Sequence, residues 1–207
     1  MNRHPVLHDL LVCLQAPTQS WSGLDGQIRS HGAQGVYQGD VRVLSQARLT
    51  LAGVEPDPLM SATDGPGSVV VVSIARDVDD PTRDPTVRVE RRRNVEPGTV
   101  TEQITLSTAT KVPVHAVVRI ELASDLAPLE DVRAGRASPV LPAELAGDGS
   151  LRWTDDAVTV RVSGDEAGAD VGDPNRPALL WDVTVHPGQP VALRWRAEAT
   201  DAAAVPP

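Results

Sequence analysis

Short segments in which apolar and polar residues alternate recur along almost the whole chain. Because neighbouring side chains of a strand point to opposite faces of a sheet, this alternation is typical of β-strands with one buried face. The segments with this pattern are 41–51, 86–90, 99–106, 112–122, 157–162, 179–185 and 191–197. Residues 69–75 read VVVVSIA, a continuous apolar run that predicts a strand buried on both faces.

The connections between these segments are rich in Gly, Pro, Asp and Asn, which favour tight turns. The turn clusters are DGPG (64–67), DDPTRDP (79–85), EPGT (96–99), GDGS (147–150), DPNRP (173–177) and HPGQP (186–190). Their spacing predicts about ten or more strands joined by hairpins. Only PAELAG (142–147) is expected to form a short turn of helix. The sequence therefore predicts an all-β fold, an antiparallel β-sandwich with little helix.

The length and the scarcity of aromatic residues limit how the core can be built. The chain has 207 residues, no Phe, four Trp and one Tyr. A chain of this length can bury a substantial core, which Val, Leu, Ile and Ala must supply. We expect a single β-sandwich domain over residues 1–198, because all-β domains of this size are commonly undivided. Residues 199–207 offer few apolar anchors and are expected to form a flexible tail or linker.

Charge and cysteine content exclude several classes of function. The formal net charge is −9, which argues against nucleic acid or an anionic membrane as a partner, since phosphate binding needs concentrated Lys and Arg. We recognise no signal peptide and no membrane span, and we expect a cytoplasmic protein. Cys13 is the only cysteine, so no intrachain disulfide can form. A buried strand thiol is expected there.

No metal or cofactor site is predicted. The acidic loop 77–84 is interpreted as a solvated turn rather than a calcium site, because Arg83 lies among its carboxylates and the glycine of an EF-type loop is missing. The acidic loop 165–175 is interpreted in the same way. The histidines share no ligand spacing. They are His4, His8, His31, His115 and His186.

No catalytic residue is predicted either. The sequence has no GxSxG nucleophile elbow and no phosphate-binding glycine loop. Carboxylates are plentiful, but only Glu102, on the predicted strand TVTEQITL, stands out from its surroundings. An exposed or ion-paired strand residue is the favoured interpretation of Glu102, ahead of a role in glycoside chemistry.

Residues 35–51 read GVYQGDVRVLSQARLTL and place Asp40 and Arg42 two positions apart in a predicted strand. Residues two apart in a strand share a face, so the two side chains either form an ion pair that fixes a corner or line a polar site. The same rule puts Arg91 and Arg93 on one face of another strand, from which at least one could reach Glu102 or Asp40.

The aromatic residues fall into two groups by their sequence context. Core packing is expected for Trp153, Trp181 and Trp195, which lie in apolar strands. Trp21 and Tyr37 are flanked by polar turn residues and are the better candidates for stacking on a sugar at the surface.

Two stretches of the chain resemble the N-terminal domain of bacterial and archaeal glycogen debranching enzymes of the amylo-α-1,6-glucosidase type. Residues 35–59 are similar to its opening motif of Gly-aromatic, Asp-Thr-Arg, Leu-Ser and a strand that ends in a Gly turn. Residues 87–135 are similar to its later signature, an Arg-rich strand, a Gly hairpin and a Glu-containing strand followed by SDLAPLEDVRAG (124–135). The chain departs from the family at Val41, which stands for Thr, and by having Leu where the family has Phe in the last segment.

The resemblance implies a β-supersandwich that packs against a C-terminal (α/α)6 barrel, which carries the catalytic carboxylates. The chain itself would then be non-catalytic and need no cofactor. The resemblance also implies a set of binding or interface residues: Tyr37, Asp40, Arg42, Arg91, Arg93, Glu102, Asp125, Glu130 and Arg133. Within this set we expect Asp40 and Arg42 to form a same-face pair that meets the strand of Arg91 and Arg93. Contact with the barrel and direct contact with sugar are the alternatives for this pair.

Three functions are therefore weighed. The first is a non-catalytic N-terminal domain that supports and shapes the active site of a barrel acting on α-glucan. The second is a freestanding β-sandwich module that binds a carbohydrate, such as α-glucan or an oligosaccharide, or a protein partner. A stand-alone hydrolase that uses Asp or Glu of the sandwich itself is the least favoured.

Overall fold

The computed structural model describes residues 9–76, 78, 85–136, 138–155 and 158–201. These residues form an all-β fold, as the alternation predicts, with one short helix, α1 (Leu129–Arg133). The strands are β1 (Leu11–Gln15), β2 (Thr18–Ser22), β3 (Gly35–Gln38), β4 (Val41–Leu44), β5 (Gln46–Leu51), β6 (Asp57–Thr63), β7 (Ser68–Ala75), β8 (Val87–Glu96), β9 (Thr99–Thr108), β10 (Val114–Ala123), β11 (Ala127–Pro128), β12 (Glu144–Leu145), β13 (Leu151–Thr154), β14 (Val158–Gly164), β15 (Gly168–Asp170), β16 (Ala178–Val185) and β17 (Val191–Asp201).

The strands form three antiparallel sheets around one main core. The five-stranded sheet has the order β1-β2-β3-β4-β11, the four-stranded sheet β15-β16-β10-β5, and the eight-stranded sheet β12-β13-β14-β17-β9-β8-β7-β6. Side chains from all three sheets meet in the core, which is mainly aliphatic. The predicted core positions of Trp153, Trp181 and Trp195 are confirmed, as is the buried thiol of Cys13 on β1.

The predicted strand 41–51 is in fact two strands in two different sheets. β4 belongs to the five-stranded sheet and β5 to the four-stranded sheet. Between them the Ser45 N–H donates to the carbonyl oxygen of Ala123 at 2.8 Å. Val43 and Leu44 are both buried, so the alternation of the strand is broken at this point. The chain therefore passes from one sheet to the next within an apparently continuous strand.

Two further predictions need correction. The run 69–75 is buried on both faces only in its middle, because Val70 and Ile74 are half-exposed. The segment 142–147 is not helical, since it contributes β12 instead. The helix α1 lies in the Glu-Asp-rich segment after Pro128, where acidic residues in the first turn and Arg133 in the last complement the helix dipole.

The predicted tail begins inside a strand, since β17 extends to Asp201. Residues 202–207 lie outside the described residues, as does most of the acidic loop 77–84. In the described part of the chain, no helix has the length and apolar character needed to cross a membrane.

Candidate functional site

Arg91, Arg93 and Glu102 form a buried ionic cluster on two neighbouring strands of the eight-stranded sheet. Alternate residues of β8 face the core, so Arg91 and Arg93 point the same way. Glu102 lies directly opposite Arg93 on β9. Arg91 Nε donates to Glu102 Oε1 at 2.8 Å, and Arg93 Nε donates to Oε2 at 2.7 Å. Of the two interpretations of Glu102, an exposed or an ion-paired strand residue, the structure shows the ion-paired one, and the Glu102 carboxylate holds both guanidinium groups.

The same cluster anchors the long connection between β2 and β3. Arg93 Nη2 donates to the carbonyl oxygen of Gly26 at 2.7 Å, and Arg91 Nη1 donates to Gln27 Oε1 at 3.0 Å. The Gln27 amide in turn exchanges two 2.8 Å hydrogen bonds with the backbone of Leu49 on β5. The cluster therefore joins the eight-stranded sheet to a loop and to the four-stranded sheet.

Burial and pairing act in opposite directions on the charges of this cluster. Burial alone would raise the pKa of Glu102, but the adjacent guanidinium groups of Arg91 and Arg93 hold that pKa below its ordinary value. Burial also lowers the pKa of Arg91, against the opposing effect of the Glu102 carboxylate. Arg91, Arg93 and Glu102 are each at most 3 % exposed. Their charged groups therefore pair with one another and are not accessible to a ligand.

Arg42 pairs with Asp125 instead of with Asp40 or the β8 strand. Arg42 Nε donates to Asp125 Oδ1 at 3.1 Å, and Nη2 contacts the other carboxylate oxygen. The prediction of an Asp40–Arg42 pair is wrong because Asp40 lies in the exposed turn before β4, where strand alternation does not apply. Arg42 also points away from Val43, which packs in the main core, so it does not meet Arg91 or Arg93.

Trp21 and Tyr37 lie in a second, smaller core with Ala127 and Val132. Their ring centroids are 4.9 Å apart at an interplanar angle of 46°. Tyr37 is 0 % exposed and Trp21 6 %, because α1 places Val132 against them. The Tyr37 hydroxyl donates to the Ala33 carbonyl at 2.8 Å, and burial raises the pKa of Tyr37. The prediction that these rings stack on sugar at the surface is therefore wrong.

Among the residues that position these pairs and that sequence reasoning missed are Gln27, Gln34 and Gly35. Gln27 braces Arg91, and the backbone carbonyl of Gln34 accepts from Arg42 Nη1 at 3.4 Å. A Cβ atom on Gly35 would lie 2.6 Å from Arg42 Cδ and 2.9 Å from the Leu44 carbonyl oxygen. Gly35 could have been found from its place at the start of the Gly-Val-Tyr motif. Nothing in the sequence around Gln27 or Gln34 indicates their roles.

Three of the predicted residues are exposed, and all lie at one corner of the five-stranded sheet. Asp40 precedes β4, and Glu130 and Arg133 belong to α1. The Leu129 N–H donates to the Asp40 carbonyl oxygen at 2.7 Å, which holds the start of α1 against that turn. These three charges therefore form a surface next to the buried Arg42–Asp125 pair, and we call it the Asp40–Arg133 corner.

The arrangement can fix the geometry of the sandwich, and a pocket found elsewhere among the described residues is small. A pocket lined by Thr18, Val36 and Glu198, among others, has a volume of about 10 Å³, which is the space of roughly one water molecule. Small-molecule sites usually enclose about 300–1,000 Å³. Within the described ranges, no three His, Cys, Asp or Glu side chains are grouped so that they could hold a metal ion.

Comparison with known proteins agrees with the resemblance seen in the sequence. The sequence model of a family described as the N-terminal domain of (some) glycogen debranching enzymes matches residues 14–196. No curated protein shows significant sequence similarity to the chain.

Two solved structures share the fold at very low sequence identity. A protein described as "putative kojibiose phosphorylase from human microbiome" superposes with a TM-score of 0.62 at 7 % identity, over 92 % of this chain and 30 % of that protein. A protein described as a "putative aldose 1-epimerase" from Escherichia coli K12 superposes with a TM-score of 0.56 at 8 % identity, over 93 % of this chain and 99 % of that one. The chain thus spans less than a third of the first protein and nearly all of the second.

Proposed function

The chain belongs to the family of N-terminal domains of glycogen debranching enzymes, and from this premise we propose that it is a non-catalytic domain of a larger α-glucan-processing enzyme. In this proposal the β-sandwich supports a separate (α/α)6-barrel segment and shapes the mouth of that segment's active site. The likeness to 30 % of the kojibiose phosphorylase supports a role as one part of a longer polypeptide.

The observation that carries the proposal is the inward orientation of the charged motif residues. A catalytic carboxylate must reach its substrate, yet Glu102 is 1 % exposed and accepts from two arginines. Asp125 is 9 % exposed and is held by Arg42. Both carboxylates are therefore held by arginines inside the sandwich and are not available for glycoside hydrolysis.

The Asp40–Arg133 corner is the surface we propose for contact with the barrel. Its charges are exposed, whereas the neighbouring pair of Arg42 and Asp125 is buried and holds β4 and β11, the strands next to this corner. A polar surface of this kind suits an interface between domains of one polypeptide, which is commonly more polar than an obligate dimer interface.

The test is an assay of the chain with a branched α-glucan, in which released glucose is measured. We expect no glucose above that found with the heat-denatured chain, and release that depends on the folded chain would overturn the proposal. Calorimetric titration with maltooligosaccharides separates this function from the alternative of a freestanding sugar-binding module. We expect a flat titration, whereas binding in the micromolar to millimolar range would favour the alternative.

A second test adds the proposed partner. The chain is expressed together with a separate (α/α)6-barrel polypeptide. Complex formation is measured by co-purification, and activity of the complex by glucose release. Reversing the charge of the corner with Arg133→Glu should weaken the complex. The matched control is Arg152→Glu, which changes the same exposed residue type on β13, and it should leave the complex intact. Equal effects of both variants would argue against the corner as the contact.

A further inference from the structure

The six edge strands of the three sheets are not equally protected. β11, β12 and β15 have only two or three residues each. The edge of β1 is covered where the Leu14 N–H donates to the Pro66 carbonyl at 2.7 Å, and that of β5 where Leu51 bonds to Val54. β6 has seven residues, and among the described backbone hydrogen bonds its partner is β7 alone. β6 is therefore the long edge left open within the described part of the chain.

The hydrogen-bonding pattern shows which backbone groups of β6 are free to pair. The Asp64 N–H donates to the Ser68 carbonyl at 2.8 Å at the end of the hairpin. Because antiparallel partners alternate between bonded and non-bonded pairs, Ala62 and Met60 bond to β7, while the N–H and C=O groups of Ser61 and Thr63 point outward. Each outward residue offers both a donor and an acceptor.

Natural edge strands usually carry charges, prolines or bulges that block the addition of another strand. β6 has these devices only in its first half, where Pro58 lies next to a bulge between Pro58 and Met60. The second half, Met60–Thr63, pairs regularly and carries no charge. Leu59 and Met60 are 62 % and 56 % exposed, so uncharged, partly apolar side chains border the open edge.

We propose that this edge binds the same edge of a second copy of the chain. The two β6 strands run antiparallel across a two-fold axis at Ala62, so that Ser61 exchanges both backbone hydrogen bonds with Thr63 of the partner subunit and Thr63 with Ser61 of the partner subunit. The two eight-stranded sheets then form one continuous sheet. This dimer is independent of the proposed barrel contact, which uses a different corner of the fold.

The side chains of β6 are compatible with this register. Ala62 faces Ala62 of the partner subunit in a non-hydrogen-bonded pair, where strands approach most closely and a small side chain fits. Met60 faces Asp64 of the partner subunit, and Asp64 is already neutralised by Arg92 Nη1 at 2.6 Å in its own subunit. No like charges lie directly opposite each other, which is the condition that a self-complementary edge must meet.

The first experiment measures the oligomeric state by sedimentation equilibrium. We expect a concentration-dependent dimer for the unchanged chain. Thr63→Pro removes an outward N–H without touching the β6–β7 ladder, and Pro is tolerated at such edge positions. It should weaken association about tenfold or more, because two hydrogen bonds are lost per dimer. Thr63→Val keeps the N–H and should dimerise like the unchanged chain. A monomer at all concentrations, or equal dimerisation of Thr63→Pro and Thr63→Val, overturns the proposal.

The second experiment tests the register by cross-linking and does not depend on how Thr63→Pro folds. Oxidation of Ala62→Cys should give a covalent dimer, because facing Cβ atoms of a non-hydrogen-bonded pair lie about 4.5–5.5 Å apart. Leu59→Cys is the matched control on the same strand, and it should cross-link several-fold more slowly although residue 59 is well exposed. Cys13 is 1 % exposed and is excluded from the reaction. Cross-linking of Ala62→Cys no faster than that of Leu59→Cys overturns the register.

Discussion

Arg42 and Asp125 are 83 residues apart in the chain and meet in a buried, two-pronged ion pair. Asp125 also accepts from the Ala127 N–H, which begins β11. β11 is the partner of β4 in the five-stranded sheet, so one carboxylate fixes both members of that strand pair. The pair therefore joins the first half of the chain to the segment that carries α1.

Removing this carboxylate should destabilise the fold. We expect Asp125→Asn to lower the free energy of unfolding by about 3 kcal/mol, because the buried Arg42 guanidinium would lose the one carboxylate with which it pairs among the described residues. The change is measured by denaturant-induced unfolding.

The matched control is Asp57→Asn, which breaks an ion pair with Arg76 of the same residue types on the surface. Its unfolding midpoint should change little, since exposed pairs contribute little to stability. If both variants lose a similar amount of unfolding free energy, the buried Arg42–Asp125 pair contributes no more to stability than an exposed pair.

An ion pair can be predicted from the sequence when its partners are close together in the chain or are joined by a short hairpin. Arg91 and Arg93 are two residues apart in a strand, and a tight hairpin brings β9 alongside, so Glu102 was a natural partner. Asp125 follows β10 in a different sheet, and no local pattern relates it to Arg42. The alternation rule places Asp40 in a strand, whereas Gly39 and Asp40 form the turn before β4. Short-range rules thus found the first cluster and missed the second.

The same limit explains which strands the sequence predicts. β9 and β17 alternate apolar and polar residues because most of their inward residues pack against aliphatic side chains. β2 was missed because its inward residues are Thr and Ser: Thr18 and Ser20 are each 1 % exposed, and Ser20 accepts from Arg93 Nη1 at 3.4 Å. An inner face that meets a buried ion cluster is polar, so the alternation of hydrophobicity disappears.

The second prediction concerns Glu102, whose loss would leave two buried guanidinium groups without their shared partner. We expect Glu102→Gln to lower the free energy of unfolding by about 3–5 kcal/mol, and thus at least as much as Asp125→Asn. The measurement is again denaturant unfolding, with Gln103→Glu as a control that changes the neighbouring, half-exposed residue of the same strand. That control should have a much smaller effect.

The pKa of Glu102 leads to a third prediction, on pH dependence. Because the folded-state pKa lies below the ordinary value of 4.5, the unfolded chain takes up a proton first as the pH falls. The stability contributed by Glu102 is therefore fully present above about pH 4.5 and is lost as the pH falls through the folded-state pKa.

This pH dependence is best measured as a difference between two proteins. We expect the gap in unfolding free energy between the unchanged chain and Glu102→Gln to narrow on acidification from about pH 6 to about pH 3, because protonated Glu102 resembles Gln in charge. The other acidic groups titrate in both proteins, so their contributions cancel when one unfolding free energy is subtracted from the other. A gap that stays constant over this range would contradict the assigned direction of the pKa shift.

The fourth prediction tests the close approach of Gly35 to Arg42. Gly35→Ala places a Cβ atom 2.6 Å from Arg42 Cδ and 2.9 Å from a backbone oxygen that cannot move freely. We expect a loss of about 1–3 kcal/mol of stability from overpacking. Gly147→Ala is the control, since no atom lies within 4 Å of the added Cβ there, and its stability should be nearly unchanged.

The last prediction follows from the burial of Trp21 and the absence of a surface stacking platform at Tyr37. All four Trp side chains are at most 6 % exposed, so a sugar bound at the surface has no indole face to cover. We expect intrinsic tryptophan fluorescence to remain unchanged when maltoheptaose is added. Quenching that saturates, and that disappears in Trp21→Phe while the fold is retained, would mean that the small core under α1 opens to admit the ligand. The ring centroids of Trp21 and Tyr37 are 4.9 Å apart, so such opening would also expose Tyr37. A single fluorescence titration distinguishes the unchanged signal that we expect from saturable quenching.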